Sequence, residues 1–259
     1  MSLPTFLTLP DRALKPRSSG ISHVIDGGVS VSETQSVLSM SAGHIDIWKF
    51  GWGTAYLQPR LTDKVALLAA SDVMSCLGGT LLEIAWAQGR AEECLEWAQS
   101  VGIAAVEVSH GLVSMSLEDK RKLIRRAGQQ FIVLSEVGSK DPSVEVRATE
   151  WGTEVEADIE AGARWVVLEG RESGTVGLYN GDGTVREDIV AAIEHAAGID
   201  NVIFEAPRKE QQVWFIRQFG SSVNLGNVSL DGALPLETLR LGLRADTWQS
   251  IHQLSPLGV

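Results

Sequence analysis

Short apolar runs alternate along the chain with longer segments that have helical periodicity, about eight times in succession. The runs are rich in Val, Ile and Phe, which is typical of strands buried on both faces. Predicted strands lie near 21–26, 45–50, 73–78, 104–109, 131–136, 164–169, 201–205 and 222–225. Predicted helices lie near 30–42, 62–72, 82–100, 117–128, 145–161, 186–197, 208–219 and 235–245. Strands that alternate with helices form parallel sheets, so the pattern predicts an α/β protein.

The length of the chain favours one particular α/β architecture. At 259 residues, it has the usual length of a single eight-stranded barrel. No linker rich in Pro, Gly or Ser separates two halves. We therefore predict a single (β/α)8 TIM-type barrel over residues 21–259, preceded by an N-terminal arm over residues 1–20.

Local signals mark several helix ends. Ser116 precedes two acidic residues, which indicates an N-cap. Pro235 suits the first turn of the last helix, because its missing N–H is not needed there. Gly162 and Gly220 follow helical segments, as glycine does at C-caps.

Carboxylates recur at or near the C-terminal ends of the predicted strands: Asp26, Glu107, Glu136, Glu169 and Glu205. A sixth run ends in Lys49-Phe50. In a closed parallel barrel these ends meet, and like charges held close repel each other. A divalent cation would neutralise them, so the pattern predicts an active site with a metal held by Glu107, Glu136, Glu169 and Glu205. Hard oxygen ligands without a Cys/His cluster favour Mg²⁺ over Zn²⁺.

The composition narrows the classes of function. The net charge of −11 argues against nucleic acid as a partner, because the phosphate backbone demands a basic face. The 44% hydrophobic and 21% charged content fits a globular protein. No apolar run approaches a membrane span, and the N-terminus has no apolar core of a secretory signal. Two cysteines without metal spacing favour a reducing cytoplasm and small core residues.

Several glycine-containing loops after the strands allow two interpretations. Gly51-Trp52-Gly53 and Gly78-Gly79-Thr80 are either tight turns or loops whose backbone approaches a ligand. Glu169 to Gly174, which includes Arg171, is either a solvated turn or part of the site. The loop from Gly170 to about Val185 is a candidate lid or a plain surface excursion. Lys140, after strand 5, is either an exposed lysine or a group that donates a proton or holds an anion.

The loops after strands 7 and 8 usually bind phosphate in barrels of this kind. Asn224-Leu225-Gly226-Asn227 is predicted to end strand 8, and Lys209 follows strand 7. We therefore expect these polar groups to lie at the same end of the barrel as the carboxylates.

Eight segments, taken together, resemble the phosphosulfolactate synthase family over roughly residues 20–250. They are Lys49-Phe50-Gly51-Trp52-Gly53-Thr54, Gly78-Gly79-Thr80-Leu81-Leu82-Glu83, Glu136-Val137-Gly138, Glu169-Gly170-Arg171-Glu172-Ser173-Gly174, Phe204-Glu205-Ala206-Pro207, Gln211-Gln212-Val213-Trp214-Phe215, Asn224-Leu225-Gly226-Asn227 and Leu236-Glu237-Thr238-Leu239-Arg240. Each segment alone is a weak signal, but all eight in the family's order are specific.

The resemblance implies a (β/α)8 barrel and a Mg²⁺-dependent lyase-type reaction. In that reaction sulfite adds to phosphoenolpyruvate and gives 2-phospho-3-sulfolactate, in methanogens an early step toward coenzyme M. Lys140 matches the family's proton donor, and we expect Lys49 and Arg171 to be catalytic with it. The expected substrate-binding residues are Asp26, Trp52, Gly53, Thr80, Ser109, Lys209, Asn224, Gly226 and Asn227.

Three positions depart from the family pattern. Gly27 stands where relatives commonly have lysine, His110 where they have Asp or Asn, and Ser139 where they often have a second lysine. Fewer cations should weaken the binding of anionic substrates. Two alternatives therefore stay open: another Mg²⁺-dependent lyase on a small phosphorylated or 2-oxo acid, or a non-catalytic, stress-related relative. The oligomeric state is also open, and a homo-oligomer fits the sequence as well as a monomer.

Overall fold

A computed structural model describes residues 4, 6–138, 147–170 and 173–251. Eight parallel strands form a closed barrel in chain order, and the last strand pairs with the first. The predicted single (β/α)8 barrel is confirmed. The strands are β1 (Ser22–Asp26), β2 (Ile47–Phe50), β3 (Met74–Leu77), β4 (Ala105–Val108), β5 (Ile132–Val137), β6 (Trp165–Leu168), β7 (Val202–Glu205) and β8 (Leu225–Ser229).

Helices surround the barrel, as the alternation predicts. They are α1 (Val31–Ser41), α2 (Leu61–Ala70), α3 (Gly79–Ala87), α4 (Ala91–Ser100), α5 (Leu117–Ala127), α6 (Ala148–Glu160), α7 (Glu187–Ala197), α8 (Lys209–Phe219), α9 (Ala233–Arg240) and α10 (Trp248–Ile251). Short 3₁₀ turns cover Ala42–His44, Thr54–Leu57 and Leu230–Gly232. No helix in the described ranges is long and apolar enough to cross a membrane.

The predicted helix over 82–100 is in fact two helices. Gly89 adopts φ +70°, a left-handed conformation that ends α3. The Gly89 N–H bonds to the Trp86 carbonyl at 2.9 Å, and the Arg90 N–H bonds to the Ala85 carbonyl at 2.7 Å. These bonds satisfy the last carbonyls of α3 before α4 begins.

Strand 8 also differs from its prediction. The predicted strand covers 222–225, whereas the observed strand begins at Leu225 and ends at Ser229. Gly226 and Asn227, which lie beyond the predicted strand over 222–225, are inside the observed strand and form a β-bulge. Ser22 pairs with Leu225, whereas Val24 pairs with Val228, so two residues of β8 stand opposite the single residue His23. Asn227 takes the left-handed φ of +51° there.

The predicted helix ends are confirmed where the structure describes them. The Ser116 hydroxyl accepts from the Asp119 N–H at 3.1 Å. Pro235 lies in the first turn of α9. Gly162 and Gly220 follow helices α6 and α8 with φ +111° and +83°.

Side chains inside the barrel change character along its axis. The layer nearer the N-terminal ends of the strands is apolar: Ile21, Ile47, Cys76, Ala105, Leu134, Trp165, Val167 and Ile203. Alternate residues such as Trp48 and Phe204 face outward and pack against the helices. This apolar layer fills the barrel near the N-terminal ends of the strands. Polar side chains in the interior therefore lie toward the C-terminal ends.

The described part of the N-terminal arm lies against the N-terminal end of the barrel. Arg12 forms an ion pair with Glu237 at 2.9 Å. Lys15 Nζ donates to the Ala42 and Ile45 carbonyls at 3.0 and 2.6 Å. The arm therefore covers the end of the barrel opposite to the carboxylates.

Candidate functional site

A cavity of about 200 Å³ opens at the C-terminal ends of the strands. We call it the mouth cavity. Among the residues predicted for the site, those that line it are Lys49, Trp52, Thr80, Glu107, Glu136, Glu169, Glu205 and Asn227. All four predicted metal-binding carboxylates therefore share one cavity. Ile25, Gly51, Gly78 and Gly79 complete its described lining.

The alternation of strand side chains explains this convergence. Glu107 lies two residues beyond Ala105, which belongs to the inner apolar layer, and Glu136 lies two beyond Leu134. Glu205 has the same relation to Ile203. A period of two residues keeps each glutamate on the inner face, one step nearer the C-terminal end. Acids at these positions therefore project into the mouth cavity.

Lys49 lies between two of the carboxylates. Its Nζ is 3.2 Å from Glu107 Oε2 and 3.1 Å from Glu205 Oε1, and only 5% of its side chain is exposed. Burial lowers the pKa of Lys49, but Glu107, Glu205 and Glu136 outweigh that effect and hold the pKa well above its ordinary value. Lys49 is therefore a fixed positive charge inside the cavity.

The two carboxylates that bind Lys49 are also fixed by backbone amides. Glu107 Oε1 accepts from the Gly79 N–H at 3.0 Å, and Glu205 Oε2 accepts from the Gly170 N–H at 2.9 Å. Burial raises the pKa of Glu107 to about 7, against the lowering effect of Lys49. Each side chain joins its own strand to a neighbouring loop, so the cluster is rigid.

A magnesium ion would not need all four carboxylates of the mouth cavity as ligands. In the described part of the chain, no three acidic, His or Cys side chains converge as a preformed metal site. Magnesium usually keeps several waters and needs only one or two protein carboxylates plus substrate oxygens. All four glutamates are chemically suited to that role, and the metal stays a prediction.

Asp26, predicted to bind substrate, lies outside the cavity lining. Asp26 accepts from the Gly28 and Val29 N–H groups at 2.7 and 2.9 Å and from Trp48 Nε1 at 2.9 Å, and it pairs with Lys64. This network shapes the β1–α1 turn. Both oxygens of Asp26 therefore already have partners within the protein.

Ser109 is likewise engaged behind the cavity. Its hydroxyl donates to Glu83 at 2.7 Å, and Glu83 also accepts from the Leu112 and Val113 N–H groups. Ser109 thus supports the loop after β4.

The remaining predicted substrate-binding residues also lie outside the lining. Asn224 was expected at the C-terminal end, and this is wrong: it precedes β8 at the other end. Its amide accepts from the Ile21 N–H at 2.9 Å and donates to the Asp200 and Val202 carbonyls at 3.0 Å. Lys209 is partly exposed and pairs with Asp246 at 3.2 Å. Gly53 and Gly226 act through their backbones, in the turn after β2 and in the β8 bulge.

Two predicted catalytic residues, Lys140 and Arg171, lie outside the described residues, as does Ser139. Their roles stay predictions. The described part of the loop after β6 is anchored to the barrel. Gln211 Nε2 donates to the Gly174 and Gly183 carbonyls at 2.8 and 3.2 Å, and the Tyr179 hydroxyl donates to the Glu205 carbonyl.

The two other departures from the family pattern have different surroundings. A Cβ at Gly27 would lie 2.3 Å from Trp52 Cζ3, so any side chain there must displace the indole ring. His110 lies beside Glu154, with Nδ1 3.7 Å from Oε1, and it does not line the mouth cavity. Burial is the main reason that the pKa of His110 is lowered.

His23, which the sequence pattern did not indicate as a site residue, is fully buried inside the barrel. Neither ring nitrogen has a hydrogen-bond partner in the described structure, and burial lowers its pKa well below the ordinary value. Asn227 Oδ1, on the same β1–β8 side, is also buried without a partner there. The signal was available, because His23 occupies an inward position two residues before Ile25.

Comparison of the sequence with known proteins shows the family of the chain. A family model described as (2R)-phospho-3-sulfolactate synthase (ComA) matches residues 10–246. A phosphosulfolactate synthase of Methanothermobacter thermautotrophicus is 42% identical over 253 residues, which covers 95% of this chain and 98% of that protein. The Bacillus subtilis phosphosulfolactate synthase is 40% identical over 245 residues, with 93% and 97% coverage.

Solved structures resemble the chain in fold alone. An HpcH/HpaI aldolase/citrate lyase family protein from Burkholderia cenocepacia has a TM-score of 0.56 at 13% identity, covering 88% of this chain and 95% of that one. A 3-hexulose-6-phosphate synthase has a TM-score of 0.54 at 15% identity, with 90% and 98% coverage.

Proposed function

Because the chain belongs to the phosphosulfolactate synthase family, we propose that it adds sulfite to phosphoenolpyruvate and uses Mg²⁺. The product is 2-phospho-3-sulfolactate. The observation that supports this proposal most strongly is the mouth cavity, where Lys49 lies among four carboxylates at the C-terminal end of the barrel. Active sites of barrels of this type lie at that end.

The reaction makes one carbon–sulfur bond and one carbon–hydrogen bond. The sulfur lone pair of sulfite attacks C3 of phosphoenolpyruvate, and the C2–C3 π electrons move onto C2 and the carboxylate. A proton then adds to C2. Lys49 is fixed, charged and largely dehydrated, so its ammonium can attract the substrate carboxylate and stabilise the charge that develops on it.

Magnesium would be held by one or two of the carboxylates Glu107, Glu136, Glu169 and Glu205 together with oxygens of the substrate. When bound, it would supply positive charge to the substrate carboxylate and phosphate. Glu136 and Glu169 line the mouth cavity across the barrel from β2, which the loop with Trp52 follows, so they would face the polar end of the substrate.

The proton at C2 is assigned to Lys140 from the family pattern, and Lys140 lies outside the described residues. Its test is Lys140→Met in deuterated water. The expected result is loss of deuterium incorporation at C2 of the product. Incorporation at the wild-type rate would exclude Lys140 as the acid.

The proposed function is tested by incubating the purified protein with phosphoenolpyruvate, sulfite and Mg²⁺ and following the phosphorus NMR signals. A new phosphate ester signal that requires all three components is expected, and mass spectrometry should identify the product. Omission of sulfite and addition of a metal chelator are the controls. A preparation that is folded but leaves phosphoenolpyruvate unchanged would contradict the proposal and favour the non-catalytic alternative.

A further inference from the structure

The mouth cavity has two chemically different sides. The carboxylates come from β4, β5, β7 and the end of β6, whereas the side formed by β1 and the loop after β2 carries Ile25 and Trp52. Among the described lining residues, these two have the large apolar side chains. We call them the apolar wall. A ligand with both anionic groups and a hydrocarbon part would place the hydrocarbon against this wall.

Each member of the apolar wall packs on a glycine. A Cβ at Gly51 would lie 2.8 and 2.9 Å from Ile25 Cγ1 and Cδ1. A Cβ at Gly27 would lie 2.3 Å from Trp52 Cζ3. Real Cβ atoms do not approach so closely, so both side chains occupy space that the glycines leave open. The position of the wall is therefore determined by packing.

The backbone conformation of Trp52 is unusual for a tryptophan. The residue has φ +53°, in the left-handed region that a bulky side chain rarely adopts, and 56% of it is exposed. A turn holds it there, because the Thr54 N–H and hydroxyl both bond to the Gly51 carbonyl at 2.9 and 2.8 Å. Strained backbone that is fixed by its surroundings is typical of ligand-binding sites.

We propose that the apolar wall contacts the methylene carbon of the substrate, the atom to which sulfur adds, and excludes enolpyruvate phosphates that carry a substituent on that carbon. This inference rests on the proposed function and deepens it by naming the substrate class. Carboxylate and phosphate face Lys49 and the glutamates, which leaves the methylene group toward Ile25 and Trp52. The ring of Trp52 then limits the space beside that carbon.

The test compares phosphoenolpyruvate with its 3-methyl homologue, phosphoenol-2-oxobutyrate. For each, kcat/KM with sulfite and Kd from calorimetry are measured in wild type, Trp52→Phe and Trp52→Ala. Wild type should prefer phosphoenolpyruvate. In Trp52→Ala the preference should fall by about tenfold, the lower end of the roughly 10- to 200-fold effect of one methyl group in a hydrophobic pocket, because Trp52 is partly exposed. Trp52→Phe should give an intermediate preference.

Tyr56→Ala is the matched control. Tyr56 belongs to the same loop and is 71% exposed, but it does not line the mouth cavity. The preference of Tyr56→Ala for phosphoenolpyruvate over the 3-methyl homologue should stay within about twofold of wild type. The proposal is overturned if Trp52→Ala keeps the wild-type preference, or if Tyr56→Ala changes it equally.

Failure of the proposed function is distinguishable from failure of this inference. Wild-type protein that binds both ligands without turnover would contradict the function, while the ratio of the two Kd values would still decide the role of Trp52. Both Trp52 variants should keep the wild-type melting temperature within a few degrees, because Trp52 as a residue is more than half exposed.

Discussion

The two ends of the barrel each contain a buried cation, but the two cations have different kinds of partner. At the N-terminal end, Arg240 is fully buried and donates to the Ser221, Val223 and Ile21 carbonyls at 2.6, 2.6 and 3.0 Å. At the C-terminal end, the buried Lys49 faces carboxylates and an open cavity. Arg240 satisfies backbone carbonyls, whereas Lys49 lines a cavity that a ligand can enter.

The polar side chains beside these cations differ in the same way. Asn224, at the N-terminal end, makes three hydrogen bonds with the backbone. Asn227, three residues later, reaches the mouth cavity from a bulge and has a buried Oδ1 without a partner among the described residues. A buried polar atom left without a partner is destabilising. The comparison indicates that the N-terminal end serves stability and the C-terminal end serves binding.

The largest expected effect is on catalysis, from Lys49→Met. Removal of the fixed charge from the cavity should lower kcat/KM for phosphoenolpyruvate by about 10²–10³-fold or more. The measurement is steady-state kinetics beside circular dichroism of the same preparation. Turnover close to wild type in a folded variant would remove Lys49 from the site.

Arg240→Met tests the other end of the barrel. It should lower the free energy of unfolding by about 3 kcal/mol or more, because three carbonyls lose a charged donor. At temperatures where the variant is folded, kcat/KM should be unchanged. Arg244→Met is the control, since Arg244 is 35% exposed and its pairing with Asp246 contributes little. A large catalytic defect in folded Arg240→Met would break the division between the two ends.

The two asparagines provide a smaller and closely matched comparison. Asn224→Ala should lower the free energy of unfolding by about 2 kcal/mol and leave KM unchanged. Asn227→Gly, which suits the left-handed backbone, should change stability by less than about 1 kcal/mol and raise KM for phosphoenolpyruvate by about tenfold. Urea unfolding and kinetics on both variants check this, and an exchange of the two phenotypes would refute it.

The smallest expected effect is a pH dependence of stability from Glu107. Burial raises its pKa to about 7, above the ordinary 4.5. The folded protein therefore binds this proton more tightly than the unfolded chain does. The resulting stabilisation is present below the unfolded value and is lost as the pH rises through about 7.

Glu107→Gln removes this titration. The free energy of unfolding of wild type minus that of Glu107→Gln should fall by roughly 1–3 kcal/mol between about pH 5 and about pH 8. Glu150→Gln, at a carboxylate that is 63% exposed, should show no such trend. A difference that rises with pH would contradict the assigned direction.

The sequence predicts the barrel and its acidic mouth because both depend on short-range periodicity. A period of two residues places Glu107, Glu136 and Glu205 inside, and parallel strands bring them to one end. The end of β8 was not predictable in this way. Gly226 and Asn227 are typical turn residues, and only the pairing with β1 shows that they form a bulge within the strand.

The sequence pattern also does not predict which lysines are buried. Lys64 lies on the apolar face of α2, three residues after Leu61 and four before Leu68, and its charge meets Asp26 only in the folded protein. The contact between Trp52 and Gly27 joins two loops far apart in the chain. Both features depend on tertiary packing, which the pattern of one segment does not encode.

The most direct test of the central claim is a crystal structure with phosphoenolpyruvate and Mg²⁺. A cavity of about 420 Å³ at the N-terminal end, lined in part by Lys15 and Arg17, is the alternative location to compare. The account predicts phosphoenolpyruvate in the mouth cavity, within hydrogen-bond distance of Lys49 Nζ and with its methylene group against Trp52. Phosphoenolpyruvate bound at Lys15 and Arg17, with the mouth cavity holding only water, would contradict it.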